Sequence, residues 1–446
     1  MSSTPAWKRL ASTSTFTAKT ASSKAHLHKP IPDDLFPRGY VLGGVHSGVK
    51  KNASVLDLAI LLSTSSRPTA AAASFTRNAF QAAPVVVSKD VLKQTAGRAR
   101  GLVVNSGCAN AVTGRQGLAD AWAMSRATAA LLPRSSSSET DTLVMSTGVI
   151  GQTLPISKIL AALQPRAALA QTLASGFSAW EAAAQAFMTT DTFPKLRARA
   201  LELGGGRTCR IAGIDKGAGM IHPDMAGPAA APHATLLGCI ATDAAVTPAA
   251  LQTALDYAVR RSFNAISVDG DMSTNDTVVL FANGAADAGG GGEIDETRDR
   301  AAFVRFRDGL TEFMQELAQL VVRDGEGATK FVTVSVEGAS SYEDAHKIAS
   351  KISTSALVKT ALYGEDANWG RVLAATGSVP LSAPLDPTRV NVSFVPTDVD
   401  EVRAKEILSA EDLEVRVELD LGSEGAKYWT CDFSYEYVRI NGDYRS

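Results

Sequence analysis

The sequence has 446 residues, enough for two domains or one large one, and its 45% hydrophobic and 20% charged composition is ordinary for a globular protein. A formal net charge of −2 disfavours a nucleic-acid-binding protein, and no uninterrupted apolar run is long enough to span a membrane. The four cysteines and six histidines lack CxxC and HExxH spacing, so neither a disulfide framework nor a metal site is indicated and small-molecule chemistry is favoured.

The first 30 residues have the composition of a transit peptide. They are rich in serine and threonine, and no acidic residue occurs before Asp33. They also lack an apolar core long enough for a secretory signal. We therefore expect a transit peptide over residues 1–30, with a disordered basic tail as the alternative.

Short strands and helices alternate along the rest of the chain. Apolar runs predict strands at residues 83–87, 101–105, 142–146, 235–243, 276–282, 331–336, 390–395, 413–421 and 429–438. Helical spacing predicts helices at residues 118–132, 156–170, 177–187, 248–263, 296–322 and 357–375. Between them, the glycine-rich stretch around Gly289 is typical of a flexible loop. The mixture predicts an α/β protein with short elements.

The strand predicted at residues 142–146 ends in a glycine-containing turn, Ser146-Thr147-Gly148. Glycines there allow backbone N–H groups to point outward, and such a turn can stabilise the oxyanion that acyl transfer creates. An ordinary structural turn explains the same residues.

Charged and hydroxyl side chains suited to an amino-acid ligand occur at three further places. Thr189 and Thr190 follow a predicted helix, Lys216 has a charge suited to a carboxylate, and Glu326 lies between two glycines where it could meet an ammonium group. A helix boundary and a solvated lysine are the structural alternatives for the first two places.

The segment of residues 216–246 contains the most informative junction, between Ala234 and Thr235. The small Ala234 leaves room for the Thr235 hydroxyl to attack the preceding carbonyl, so self-cleavage is chemically feasible. Cleavage would make Thr235 an N-terminus, with a hydroxyl to attack and an α-amino group of pKa about 7.7–8.0 to accept the proton. The alternative is that Thr235 simply begins a strand after a loop.

The amino-acid sequence of several blocks resembles that of the glutamate N-acetyltransferase (ornithine acetyltransferase) family of arginine biosynthesis, of the fungal mitochondrial type. The central blocks are KGAGMIHPDMA and ATLLGCIATDA, and the others are NSGCANA, MSTGVIG, MTTDTFPK, NAISVDGDMSTNDT, DGEGATK, VKTALYGEDANWGR and RINGDYRS. These blocks run in family order from about Gly39 to Ser446. In the family the threonine commonly follows the first block directly, whereas residues 227–234 intervene here.

The resemblance implies a role for each candidate residue. It implies cleavage between Ala234 and Thr235 into an alpha chain of residues 31–234 and a beta chain of residues 235–446, which together form one catalytic unit. Thr235 is then both nucleophile and substrate contact, and Thr147 and Gly148 form the oxyanion hole. The implied substrate contacts are Thr189, Lys216, Glu326, Asn441 and Ser446.

The resemblance also implies the reaction and the fold. An acetyl group would pass from N2-acetylornithine to glutamate through acetyl-Thr235 in a ping-pong cycle. Acetyl-CoA would serve as a second donor without any other cofactor. The implied fold is an αββα sandwich related to N-terminal-nucleophile peptidases, the cleaved pairs would assemble as a heterotetramer, and the location would be the mitochondrial matrix.

Two alternatives of other classes stay open at this point. An amidohydrolase or aminopeptidase could use the same N-terminal threonine and let water accept the acyl group. A non-catalytic amino-acid-binding protein would need no cleavage.

Overall fold

A computed structural model describes residues 22–132, 141–164, 166–228, 236–287, 292–395 and 407–443. The predicted cleavage residues Ala234 and Thr235, the C-terminal Ser446 and most of the glycine-rich stretch around Gly289 lie outside these residues. The strands are β1 (Tyr40–Val45), β2 (Leu58–Ser63), β3 (Ala70–Phe75), β4 (Gly101–Cys108), β5 (Thr142–Val149), β6 (Lys195–Gly204), β7 (Arg207–Lys216), β8 (Leu237–Thr242), β9 (Ile266–Ser267), β10 (Thr277–Ala282), β11 (Phe331–Ala339), β12 (Asn391–Val395), β13 (Asp412–Glu418) and β14 (Glu424–Cys431). The α-helices are α1 (Ala83–Gln94), α2 (Gly114–Ala129), α3 (Ile156–Ala162), α4 (Arg166–Thr172), α5 (Phe177–Phe187), α6 (Pro248–Arg260), α7 (Arg300–Arg323), α8 (Tyr342–Ser353), α9 (Ala356–Tyr363), α10 (Trp369–Gly377) and α11 (Tyr435–Gly442). Short 3-10 helices occur at Ala25–Leu27, Asp33–Leu35, Phe263–Ala265, Ala285–Asp287 and Pro387–Arg389.

The strands form three sheets. The first has the order β1-β2-β4-β5, the central one β3-β10-β8-β7-β6, and the third β12-β13-β11-β14-β9. The first and central sheets face each other, and α5 packs against both of them. Helix α2 packs on β4 and β5, and α6 and α7 pack on β3 and β6 of the central sheet. Two facing sheets flanked by helices confirm the predicted α/β fold of αββα type.

The central sheet is buried on both faces because its side chains alternate between two hydrophobic cores. Cys239 and Val279 point into the core shared with the first sheet. Ile240 and Val278, one position away on the same strands, point into the core shared with α6, α7 and the third sheet. Successive residues of a strand face opposite sides, so apolar residues on both faces of β8 and β10 produce strands in which every residue is buried.

Most predicted elements are present, and four need correction. Residues 83–87 are not a strand but the first turns of α1, because Pro84 is tolerated in a first helical turn and a short buried run of valines fits either structure. The strand predicted at residues 429–438 ends at Cys431, and α11 follows once the Ser434 hydroxyl accepts the N–H of Tyr437 at 3.2 Å. The long helices predicted at residues 156–170 and 357–375 are each broken into two.

The hairpin of β6 and β7 was not predicted, although it forms one edge of the central sheet. The three consecutive glycines at residues 204–206 form its turn, and all three have positive φ. Such a turn between two alternating runs is a hairpin signal that the sequence does contain. Within the part of the chain that the structure describes, no helix is long and apolar enough to cross a bilayer.

Candidate active site

A single cavity of about 610 Å³ contains every predicted site residue that the structure describes. Its walls come from the end of β5, the loop after α5, the end of β7, the loop before β10, the turn after α7 and α11. These segments are far apart in sequence, so only the packing of the three sheets brings them together. The residues lining the cavity are Thr147, Gly148, Val149, Ile150, Thr189, Thr190, Lys216, Gly219, Met220, Ser273, Glu326 and Asn441.

Thr147 and Gly148 lie at the end of β5, beside a bulge in its pairing with β4. Gly148 has a φ of +129°, a conformation that side chains disfavour. A Cβ atom on this residue would lie 2.3 Å from the carbonyl carbon of Gly107, so there is no room for a larger residue. The backbone of β5 can approach β4 this closely only because residue 148 is glycine.

Two asparagines that the sequence analysis did not single out hold this turn from behind. The Ser146 hydroxyl donates to Asn105 Oδ1 at 2.6 Å, and Asn105 Nδ2 donates to the Cys108 carbonyl at 2.9 Å. Asn275 Nδ2 donates to the Ser146 carbonyl at 2.8 Å. Both asparagines are buried, and a buried polar group with its partners satisfied rigidifies its surroundings. The sequence offered one signal for them: Asn105 and Asn275 lie in NSGCANA and NAISVDGDMSTNDT, two of the blocks that resemble the family.

Lys216 is the last residue of β7 and is only 4% exposed. Its ammonium donates to Thr147 Oγ1 across 3.3 Å, which joins the two sheets inside the cavity. Burial lowers the pKa of Lys216, and the nearby carboxylate of Asp191 offsets this only in part. A bound anion would therefore stabilise the charged form of this buried ammonium.

A second buried lysine, Lys195, holds three walls of the cavity in place. Its ammonium lies 2.6 Å from Asp191 Oδ1 and 2.6 Å from Asp324 Oδ2. Asp191 also accepts the N–H of Gly217 at 2.7 Å and the N–H of Thr189 at 2.9 Å. One ion-pair network therefore connects the loop after α5, the end of β7 and the turn after α7. The sequence analysis gave none of these three charged residues a role.

Glu326 is 9% exposed and meets Asn441 across the cavity, where Asn441 Nδ2 donates to Glu326 Oε2 at 2.9 Å. The carboxylate lies directly over Gly219, because a Cβ there would be 2.4 Å from Glu326 Oε2. The predicted contact of the C-terminal region with the site is thus present at Asn441, which α11 carries. Thr189 and Thr190, between which the sequence did not decide, both line the cavity.

The described chain resumes at Leu236, the residue that follows Thr235. Leu236 is fully buried, and its carbonyl accepts the N–H of Thr277 at 2.7 Å. The next residue, Leu237, pairs with Lys216 in the sheet. Strand β8 therefore begins beside the Lys216 wall of the cavity.

Comparison with known proteins places the chain among relatives of nearly the same length. The protein named "Arginine biosynthesis bifunctional protein ArgJ, mitochondrial" from Postia placenta is 66% identical, over 99% of this chain and 98% of the relative. The protein of the same name from Laccaria bicolor is 64% identical, over 97% of this chain and 98% of the relative. Their shared name confirms the mitochondrial location predicted here.

Solved structures give partial matches. The argJ protein of Bacillus halodurans is 37% identical and covers 45% of this chain and 96% of its own, with a TM-score of 0.42. An ornithine acetyltransferase of Mycobacterium tuberculosis, in complex with ornithine, is 34% identical and covers 44% of this chain and 96% of its own, with a TM-score of 0.36. The family comparison is more extensive, since the sequence model of the ArgJ family matches residues 41–446. With this match and relatives identical at about two thirds of all positions, the chain belongs to the ArgJ family.

Proposed function

We propose that this protein transfers an acetyl group from N2-acetylornithine to glutamate by way of an acetyl ester on Thr235. The observation that carries the proposal is the pairing of a buried cation, Lys216, and a buried anion, Glu326, in one cavity with the Thr147-Gly148 turn. An amino-acid substrate offers a carboxylate and amino groups to such a pair. Attack on the acetyl carbonyl of the donor creates an oxyanion, and an oxyanion hole is needed to stabilise it.

The α-carboxylate common to both substrates binds Lys216, and an ammonium or amide N–H binds Glu326. Both charged groups are largely removed from water, and a buried charge gains most from a partner of opposite sign. Thr189, Asn441 and Ser446 complete the binding site. A site that holds the shared amino-acid head can accept ornithine and glutamate in turn, although their side chains differ in charge.

Self-cleavage creates the nucleophile. The Thr235 hydroxyl attacks the Ala234 carbonyl and the peptide bond becomes an ester, and one water molecule then hydrolyses this ester. The products are an alpha chain that ends at Ala234 and a beta chain of residues 235–446 that begins with a free amine. The leader of the alpha chain is removed separately. The start of β8 beside Lys216 supports this placement of the junction.

In turnover, the Thr235 amine accepts the hydroxyl proton while the oxygen attacks the acetyl carbonyl. Lys216 already donates to Thr147 Oγ1, so the hydroxyl hydrogen of Thr147 is left to donate to the oxyanion, together with the Gly148 N–H. Ornithine leaves with the proton from the amine, and glutamate then attacks the acetyl ester. The result is N-acetylglutamate and free Thr235.

The word "bifunctional" in the relatives' name supports a second activity, in which acetyl-CoA donates the acetyl group to glutamate. Acetyl-CoA is a co-substrate in this scheme, and the transfer itself requires no bound cofactor. The cleaved alpha and beta chains stay together because the oxyanion hole lies on the first and the nucleophile on the second, and two such pairs form a heterotetramer.

The test combines denaturing mass spectrometry with an acetyl-transfer assay on the wild type, Thr235→Ala and Thr235→Ser. The wild type should give two chains, the second beginning at Thr235, and should move acetyl from N2-acetylornithine to glutamate. Thr235→Ala should stay in one piece and be inactive, whereas Thr235→Ser should still cleave. An uncut but active wild type would contradict the proposed nucleophile, and release of acetate without transfer to glutamate would indicate a hydrolase.

A further inference from the structure

The N-terminal strap, which we define as residues 24–28, packs against the body of the protein. Lys24 is 7% exposed and its ammonium pairs with the carboxylate of Glu411. Leu27 packs against the larger hydrophobic core, and its carbonyl accepts from Arg197 Nη2 at 3.3 Å. The strap therefore has a buried cation and an apolar anchor, which a loose tail lacks.

The end of the strap is held equally well. His28 Nε2 lies 2.7 Å from Glu181 Oε1, and His28 Nδ1 lies 3.1 Å from the Pro194 carbonyl. The imidazole also stacks on Phe177, with 6.0 Å between the ring centroids. The partners belong to α5 and to the loop before β6, the same loop that carries Thr189 and Thr190 into the active-site cavity.

The strap forms one wall of a second cavity of about 300 Å³. Lys24 and Ala25 of the strap line one part of it, together with Ser22 and Ser23 just before the strap, and Glu326 lines another part. Glu326 and Thr190 also line the active-site cavity, so the two cavities adjoin at these residues. Removing the strap would expose Glu326 to water on the side of the second cavity, in addition to the side that faces the active-site cavity.

We propose that the leader peptide ends at or before Ser23, and that the mature protein keeps the strap as one wall of the cavity that adjoins the active site. A cut after residue 30 would leave Glu411 without Lys24, expose apolar surface under Leu27 and open the second cavity. Lys8, Arg9 and Lys19 all precede the strap, so the shorter leader keeps the basic, acid-free composition of a transit peptide.

The processing step is an ordinary peptide hydrolysis. A mitochondrial endopeptidase adds one water across a bond on the N-terminal side of Lys24, which leaves a carboxylate on the released leader and an α-ammonium group on the mature chain. This step is separate from the cleavage before Thr235 and does not depend on acetyl transfer. Mapping the first N-terminus therefore tests this proposal even if the proposed reaction is wrong.

The first experiment imports the full-length chain into isolated mitochondria and identifies the N-terminus of the imported protein by mass spectrometry. An N-terminus between residues 2 and 24 is the expected result. An N-terminus at residue 25 or later would overturn the proposal, as would an imported chain that still begins at Met1.

The second experiment compares recombinant chains that begin at Lys24 and at Ile31. The longer chain should keep the thermal midpoint and KM of the full-length protein, whereas the shorter one should melt lower and have a higher KM for the amino-acid substrate. Lys24→Met should also lower the melting temperature, while Lys29→Met, at an exposed position just past the strap, should not. Equal melting temperatures and KM values for the two truncated chains would show that the strap has no structural role.

Discussion

Lys195 Nζ lies 2.6 Å from Asp324 Oδ2, and neither side chain is exposed to solvent. The same ammonium is 2.6 Å from Asp191 Oδ1. Although burial opposes its charge, the two carboxylates raise the pKa of Lys195 above its usual value. Burial likewise opposes the charge of Asp191, but Lys195 and Lys216 lower the pKa of that carboxyl below its usual range. Lys195 and Asp191 are thus charged at neutral pH, whereas burial raises the pKa of the Asp324 carboxyl. Asp191 fixes the positions of Thr189 and Gly217.

Removing the cation at the centre of this network should lower the free energy of unfolding. Lys195→Met would remove the cation that bridges the buried carboxyls of Asp191 and Asp324, and breaking a buried ion pair from one side typically destabilises a protein by about 3–5 kcal/mol. Urea unfolding measures the loss. Lys51→Met, at an exposed site, is the matched control and should change the free energy of unfolding by less than about 0.5 kcal/mol. Equal stabilities for the two variants would contradict the role of the network.

Gly148→Ala should abolish acetyl transfer. The new Cβ would overlap the Gly107 backbone at 2.3 Å, so the end of β5 must move and the oxyanion hole with it. Loss of one oxyanion donor lowers the rate on the order of 10²–10³-fold. Gly151→Ala is the matched control, because its φ is also positive, at +77°, while no atom lies within 4 Å of its Cβ position. Similar rates for the two variants would show that the close approach at Gly148 is unimportant.

Asn441→Ala should raise KM for the amino-acid substrates while the fold stays intact. Asn441 is a proposed contact to a charged group of the substrate, and such hydrogen bonds contribute about 1.5–3 kcal/mol, equivalent to a drop in kcat/KM of roughly 10–150-fold. Its hydrogen bond to Glu326 also positions that carboxylate in the cavity. No residue of α11 is buried, so the melting temperature should change little. Arg439→Ala on the same helix, at an exposed ion pair with Glu436, should leave KM unchanged.

Removing residues 441–446 extends this test to the C-terminal end. The truncated protein should lose acetyl transfer and keep its melting temperature, because the segment contributes to the site and little to the core. Steady-state rates and thermal unfolding on the same samples check both halves of the expectation. Unchanged turnover would rule out a role for Asn441 and Ser446 in binding.

Asp276→Asn should increase stability, and the gain should grow with pH. The Asp276 carboxyl is fully buried, its oxygens have no hydrogen-bond partner among the described residues, and burial raises its pKa well above the usual value. The folded protein therefore keeps this proton in a pH range where the unfolded chain has released it. Each pH unit above the ordinary pKa of about 3.9 then costs up to about 1.4 kcal/mol of stability, until the folded pKa is reached.

Asparagine has a similar shape and does not titrate, so the variant should not lose this part of its stability as the pH rises. Urea unfolding of wild type and variant at several pH values between about 4 and 8 measures the difference, which should be small at the acidic end. Parallel stability curves over this range would mean that Asp276 has an ordinary pKa in the folded protein.

Much of the fold followed from local patterns. Strands β4, β5 and β10 were predicted because uninterrupted apolar runs of this length favour buried strands. Residues 83–87 were predicted wrongly because the same kind of run also fits a buried helix, and the helix is decided by what packs around it. The β6-β7 hairpin was missed although arginines alternate with the apolar residues of β6, as strand spacing requires. Only the folded chain shows that Arg197 and Arg199 pair with Glu316 of α7.

The sequence by itself determined the family, the acetyltransferase class and the mitochondrial location, because its blocks match in wording and order and because the N-terminal composition is distinctive. It also named the residues of the candidate site, including the Thr147-Gly148 turn. The tertiary structure alone decided that these residues share one cavity, since Thr147 and Lys216, or Glu326 and Asn441, meet through the packing of sheets and helices. It alone also showed the Lys195 network and the buried Asp276 carboxyl, which has no hydrogen-bond partner among the described residues. Charged residues become informative when their surroundings exclude water, and burial is a property of the folded chain that no local pattern contains.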